Sequence, residues 1–71
     1  MEEKLLKAIA EALEIKKELL DLDTAKDEVD EWDSLGHLIV ISMIESEFNV
    51  KIPFGEVSEL NKVRDFLRYI K

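Results

Sequence analysis

The stretch from Asp30 to Val40, DEWDSLGHLIV, marks the border between an acidic segment and an apolar one, with a single serine, Ser34, set on the border. Upstream, seven of the thirteen residues from Asp21 to Asp33 are acidic and Lys26 is the only basic one. Helical periodicity fades there, so a loop is predicted, with one turn near Lys26 to Val29. Downstream the pattern becomes helical from Ser34 to Phe48. Asp33 or Ser34 can cap that helix, because a side-chain oxygen there accepts from first-turn amides and negative charge suits the helix dipole. Asn49 and then Pro53 end it.

Working outward, Leu5, Leu6, Ile9, Ala12 and Leu13 recur at helical spacing among Glu and Lys, which predicts a first amphipathic helix over residues 2–13. Ile15, Leu19, Leu20 and Leu22 either extend it or pin down the loop. Val57 and Leu60 suggest a short turn after Pro53. Asn61 is expected to cap a last helix whose Val63, Phe66, Leu67 and Ile70 fall at i, i+3, i+4 and i+7. The fold class expected is all-α: a three-to-four-helix bundle with a long loop between helices one and two.

With 71 residues the chain is expected to be one domain, 1–71, and a domain of this size buries only about 60% of the surface its unfolded chain exposes. A composition with 46% hydrophobic residues, two glycines and one proline suits a compact helical core. Zero cysteines exclude disulfides, thiolate metal sites and a cysteine nucleophile, so any thiol must arrive on something attached. The N-terminus alternates charges from Glu2 onward, so neither a signal peptide nor a membrane span is expected and the cytosol is the default compartment. A net charge of −7 repels nucleic acid and anionic membranes and draws basic protein surfaces, besides keeping the chain soluble.

Helix two carries more apolar residues than one buried face needs. Val40, Ile41, Ile44 and Phe48 gather on one side, and Leu35, Ile39 and Met43 form a stripe on the other. That stripe either packs under the long loop or under helix three, or offers a partner an apolar grip beside Ser34. A Ser34–His37 hydrolytic pair lacks a glycine-rich elbow and a pocket that would exclude water, and His37 reads better as partly buried or touching the loop. The acids Asp27, Glu28, Asp30, Glu31 and Asp33 lack the spacing and the glycine of a calcium loop. An exposed, unactivated serine at a helix N-terminus is a better acceptor than catalyst, since another enzyme can supply the base and the helix end tolerates a phosphate.

"DSL" at Asp33 to Leu35, behind an acidic loop with Trp32 and ahead of Gly36-His37-Leu38, closely resembles the acyl carrier proteins. The likeness spans essentially the whole chain: the first amphipathic helix, "DLDT" at Asp21 to Thr24, "EWDSLGHL", "IESEF" closing helix two, "IP" at Ile52 to Pro53, and the final helix. The resemblance implies a non-catalytic carrier. It implies that Ser34 receives 4′-phosphopantetheine from a phosphopantetheinyl transferase, and that acyl or related units ride on the arm as thioesters in fatty acid, polyketide or specialised metabolite biosynthesis. Partners implied are that transferase and acyl or aminoacyl ligases, ketosynthases or acyltransferases, met by a monomer through Asp33, Leu35, Ile39, Met43, Glu45 and Glu47. Alternatives are an aminoacyl carrier, or an adaptor that keeps the fold and never receives the arm. Ile39 stands where fatty acid synthesis carriers commonly have an acid, and Gly36 replaces a frequent aspartate, so the likeness leans toward freestanding carriers with dedicated enzymes. If acyl chains enter the bundle, they are expected between helix two and the last helix, near Leu38, Ile41, Phe66 and Leu67.

Overall fold

Helix α1 (Glu2–Leu13) opens with Glu2 and Glu3 in its first turn, where negative charge favours the dipole, and buries Leu5, Ile9, Ala12 and Leu13 on one face. It is part of a computed structural model that describes residues 2–70. The helix does not run on to Leu20. Glu14 adopts a left-handed backbone, φ 59°, and the amides of Glu14 and Ile15 turn back to the carbonyls of Glu11 and Ala10. These two bonds form a Schellman ending, with a glutamate in the position glycine usually takes. Beyond it a 3₁₀ turn (Lys17–Leu19) carries Lys17 back to an ion pair with Glu3, and Leu20 drops into the core.

The acidic loop is more ordered than its composition suggests. Asp21 accepts from the amide of Asp23 at 2.8 Å, and the Thr24 hydroxyl oxygen accepts from the amide of Asp21 at 2.9 Å. The expected turn is present as a 3₁₀ segment (Lys26–Glu28), with Glu28 accepting from the amide of Ala25. An antiparallel bridge joins Ala25 to Lys62. Around it the amide of Lys26 donates to the Asn61 carbonyl, that of Val63 to Thr24 and that of Arg64 to Leu22. The Arg64 guanidinium adds two bonds to one carboxylate oxygen of Asp23, at 2.9 and 2.6 Å.

Helix α2 (Ser34–Phe48) lies against α1 and contributes Val40, Ile41 and Ile44 to the core. It ends at Asn49, φ 55°, a residue that tolerates the left-handed region. A 3₁₀ segment (Phe54–Glu59) follows Pro53, and a second (Val63–Phe66) runs directly into the short helix α3 (Leu67–Ile70). The expected cap at Asn61 is corrected. The Asn61 side chain donates to the Glu59 carbonyl instead, and Asp65 reaches back to accept from the amides of Asn61 and Lys62 at 2.9 and 3.0 Å. A carboxylate inside the first turn serves both loose amides at once, which leaves the Asn61 side chain free for the preceding carbonyl. Leu60, Val63, Phe66 and Ile70 close the core from this side, with Ile52 and Trp32.

Candidate functional site

Ser34 occupies the first turn of α2 and is exposed. Asp33 is the cap: its backbone is extended, its carboxylate accepts from the amide of Gly36 at 2.8 Å and its carbonyl accepts from the amide of His37 at 2.7 Å. Gly36 lets the loop and the end of α1 close on this turn, since a Cβ there would stand 2.3 Å from the Glu31 carbonyl oxygen and 3.1 Å from Leu13.

His37 is no base for Ser34. It is 4% exposed, and both ring nitrogens are engaged. The indole N–H of Trp32 donates to Nδ1 at 2.9 Å, and Nε2 lies 2.8 Å from the Val57 carbonyl oxygen. An accepting Nδ1 places the proton on Nε2, so the ring is neutral and donates to Val57. Trp32, His37 and Phe66 form one aromatic group, with centroids 6.1 Å apart for Trp32 and His37, 6.4 Å for Trp32 and Phe66 and 6.3 Å for His37 and Phe66. The loop contact expected of His37 is present, and the bond to Val57 adds a second tie, from α2 to the Phe54–Glu59 segment.

The outer side of α2 presents Leu35 at 69% exposure and Ile39 at 43%. Met43 is half-buried against the core, and Leu38, 52% exposed, joins Ile39, Ser42, Met43 and Ser46 around a shallow groove. Glu47 is exposed, whereas Glu45 is half-buried and its carboxylate accepts from the amide of Ile52 at 2.9 Å, tying α2 to the segment before Pro53. The four residues expected around an entering chain do not line one space. Leu38 points to the outer groove, Ile41 and Phe66 are core, and Leu67 is half-buried. Phe54, exposed beyond Pro53, went unnoticed in the sequence because a lone aromatic in a short segment has no period. Among the described residues no cluster of His, Cys, Asp and Glu could hold a metal ion, and no helix is long and apolar enough to cross a membrane.

The site is therefore an exposed hydroxyl on a capped helix end, flanked by an acidic loop and an apolar outer face. The family described as "Phosphopantetheine attachment site" matches residues 3–70. Over all 71 residues the chain is 35% identical to an acyl carrier protein of Rickettsia bellii (strain RML369-C), covering 83% of that protein. It is 31% identical over 71 residues to acyl carrier proteins of Rickettsia massiliae and Rickettsia felis, covering 83% of each. With a family model matching residues 3–70 and relatives that match this chain over all 71 residues, the chain belongs to the acyl carrier protein family.

Proposed function

We propose that Ser34 is the attachment residue and that the protein works as a non-catalytic carrier for acyl or related units. The observation that carries this is the setting of Ser34. Its hydroxyl is exposed in the first turn of a fifteen-residue helix whose cap is already made by Asp33. The serine therefore has no structural duty that modification would break. The positive end of the helix dipole favours a phosphodiester at that position, partly offsetting the repulsion from the neighbouring Asp33 carboxylate. When bound, the phosphopantetheine arm supplies the thiol that a chain with zero cysteines lacks. Attachment joins Ser34 Oγ to the phosphorus that carries pantetheine in coenzyme A, breaks the pyrophosphate linkage and releases the nucleotide half. The base and the magnesium belong to the transferase.

Recognition is proposed to run through Asp33, Leu35 and Ile39, with Met43 at the edge of the groove and Glu47 as the free acid of the far end. Glu45, bonded to the amide of Ile52, contributes chiefly to the fold. Partners of this surface are the transferase and the ligases, acyltransferases or ketosynthases that load and unload the arm. A pathway with dedicated enzymes is favoured, because Ile39 gives the outer face an apolar side chain where a charge would serve general fatty acid enzymes. The test is intact mass after incubation with coenzyme A and a broad-specificity phosphopantetheinyl transferase. The mass should rise by one phosphopantetheine, and Ser34→Ala should abolish the gain. No gain under conditions that modify a control carrier would sink the proposal.

A further inference from the structure

We propose that the cargo stays outside the bundle, so that the units carried are short or polar, without a long aliphatic tail. The inference rests on the carrier function proposed for Ser34. It comes from what fills the interior between α2 and the last helix.

Three rings occupy that interior beneath the attachment turn. Trp32, two residues before Ser34, and His37, three residues after it, stack with an interplanar angle of 29°. Phe66 from the last helical segment packs on both of them and is wholly buried. Buried aliphatics shift rotamers at low cost to admit a guest, but this group is held by directional bonds. To move the indole breaks its bond to His37 Nδ1, and to move the imidazole breaks its bond to the Val57 carbonyl as well. Each break strands a buried polar group, which is the costly way to open a core. The bond from His37 to Val57 also joins α2 directly to the Phe54–Glu59 segment. Val40, Ile44, Leu60 and Val63, wholly buried, belong to the same core as Trp32 and Phe66. A long tail would thus remain in water or on the groove beside Leu38 and Ile39, whereas a short or polar unit loses nothing by staying outside.

The test uses the intact chain and its single tryptophan, which belongs to the aromatic group. A broad-specificity transferase is supplied with coenzyme A, acetyl-coenzyme A or octanoyl-coenzyme A, and intact mass establishes loading before anything else is read. The proposal expects the three loaded forms to melt within about 1 °C of one another. It also expects an unchanged Trp32 emission maximum and equal rates of thioester cleavage by hydroxylamine in the acetyl and octanoyl forms. An octanoyl tail that prefers the interior tenfold would raise the melting temperature by roughly 5–10 °C in a domain this small. That rise, with shifted Trp32 emission and a protected thioester, would overturn the proposal while leaving the carrier function standing. A chain that gains no mass from any donor would overturn the carrier function itself, and this inference with it. His37→Ala provides a second comparison. Once it is shown to remain folded, its octanoyl form should outmelt its acetyl form if the histidine is what keeps the tail out, and equal melting would remove His37 from that role.

Discussion

Gly36 stands where a side chain has no room. The atom a Cβ would strike is the backbone oxygen of Glu31, which cannot swing aside as the end of a side chain can. Gly36→Ala is therefore expected to displace the acidic loop from the start of α2 and to cost about 1–3 kcal/mol, as overpacking does. With roughly 4–8 °C lost per kcal/mol in a domain of this size, a thermal melt reads it directly. A melt unchanged from the parent would mean that the loop yields freely. Nothing in the local sequence announces this contact, because Glu31 and Leu13 meet Gly36 only after the chain has folded. His37 was half legible for the same reason. A lone histidine in an apolar helix suggests burial, but its bond to Val57 joins residues 20 positions apart and leaves no pattern in the sequence.

At the scale of elements, α1 was readable because its apolar residues repeat with the helical period, and α2, apolar on two sides, because Asp33 marks its start and Asn49 and Pro53 its end; the observed spans are Glu2–Leu13 and Ser34–Phe48. Whether α1 stopped at Leu13 or ran on toward Leu20 was not readable, since a left-handed Glu14 has no sequence signal of the kind glycine provides. The outer face of α2 carries a prediction. Ile39→Glu should leave the protein folded, changing stability by less than about 1 kcal/mol because the side chain lies at the surface. It should also alter which partner enzymes accept the carrier. Thermal melts alongside loading assays with several ligases and acyltransferases separate the outcomes, and unfolding would show that Ile39 belongs to the core. The last helical segment carries another. Burial pushes the Asp65 carboxyl up, but the amides of Lys62 and Asn61, helped by the charges of Arg68 and Lys62, outweigh it and hold the group below the usual carboxylate range. A folded-state pKa below the unfolded one gives stability that is complete above the unfolded value, about 3.9, and is lost as pH falls through the folded value. Asp65→Ala should thus cost about 1 kcal/mol near neutrality. The gap from the parent should close in melts taken at progressively more acidic pH, and a gap independent of pH would point to packing.

For the whole molecule, the charge of −7 is concentrated ahead of the proposed attachment turn, where Asp27, Glu28, Asp30, Glu31 and Asp33 are held on an ordered loop rather than a floppy one. A field of that kind acts mainly on encounter rate and orientation. The rate of arm attachment should fall roughly tenfold or more between low and high salt, as the screening length shrinks from about 10 Å at 0.1 M to about 3 Å at 1 M. Initial rates followed by mass spectrometry decide it, and a flat salt profile would assign docking to the apolar face alone. The order of that loop has a source far along the chain. The Ala25–Lys62 bridge and the bonds from Arg64 to Asp23, 41 positions away, tie it to the C-terminal segment. Contacts so distant in sequence form late, after the intervening chain has closed on itself. During synthesis, then, the loop has no partner until Lys62 and Arg64 have left the ribosome, so it is expected to take the shape the transferase meets only after that segment has emerged. A length series of stalled nascent chains should accept the arm only once this segment has emerged, and efficient attachment to shorter chains would mean that the recognition loop takes shape without its clasp.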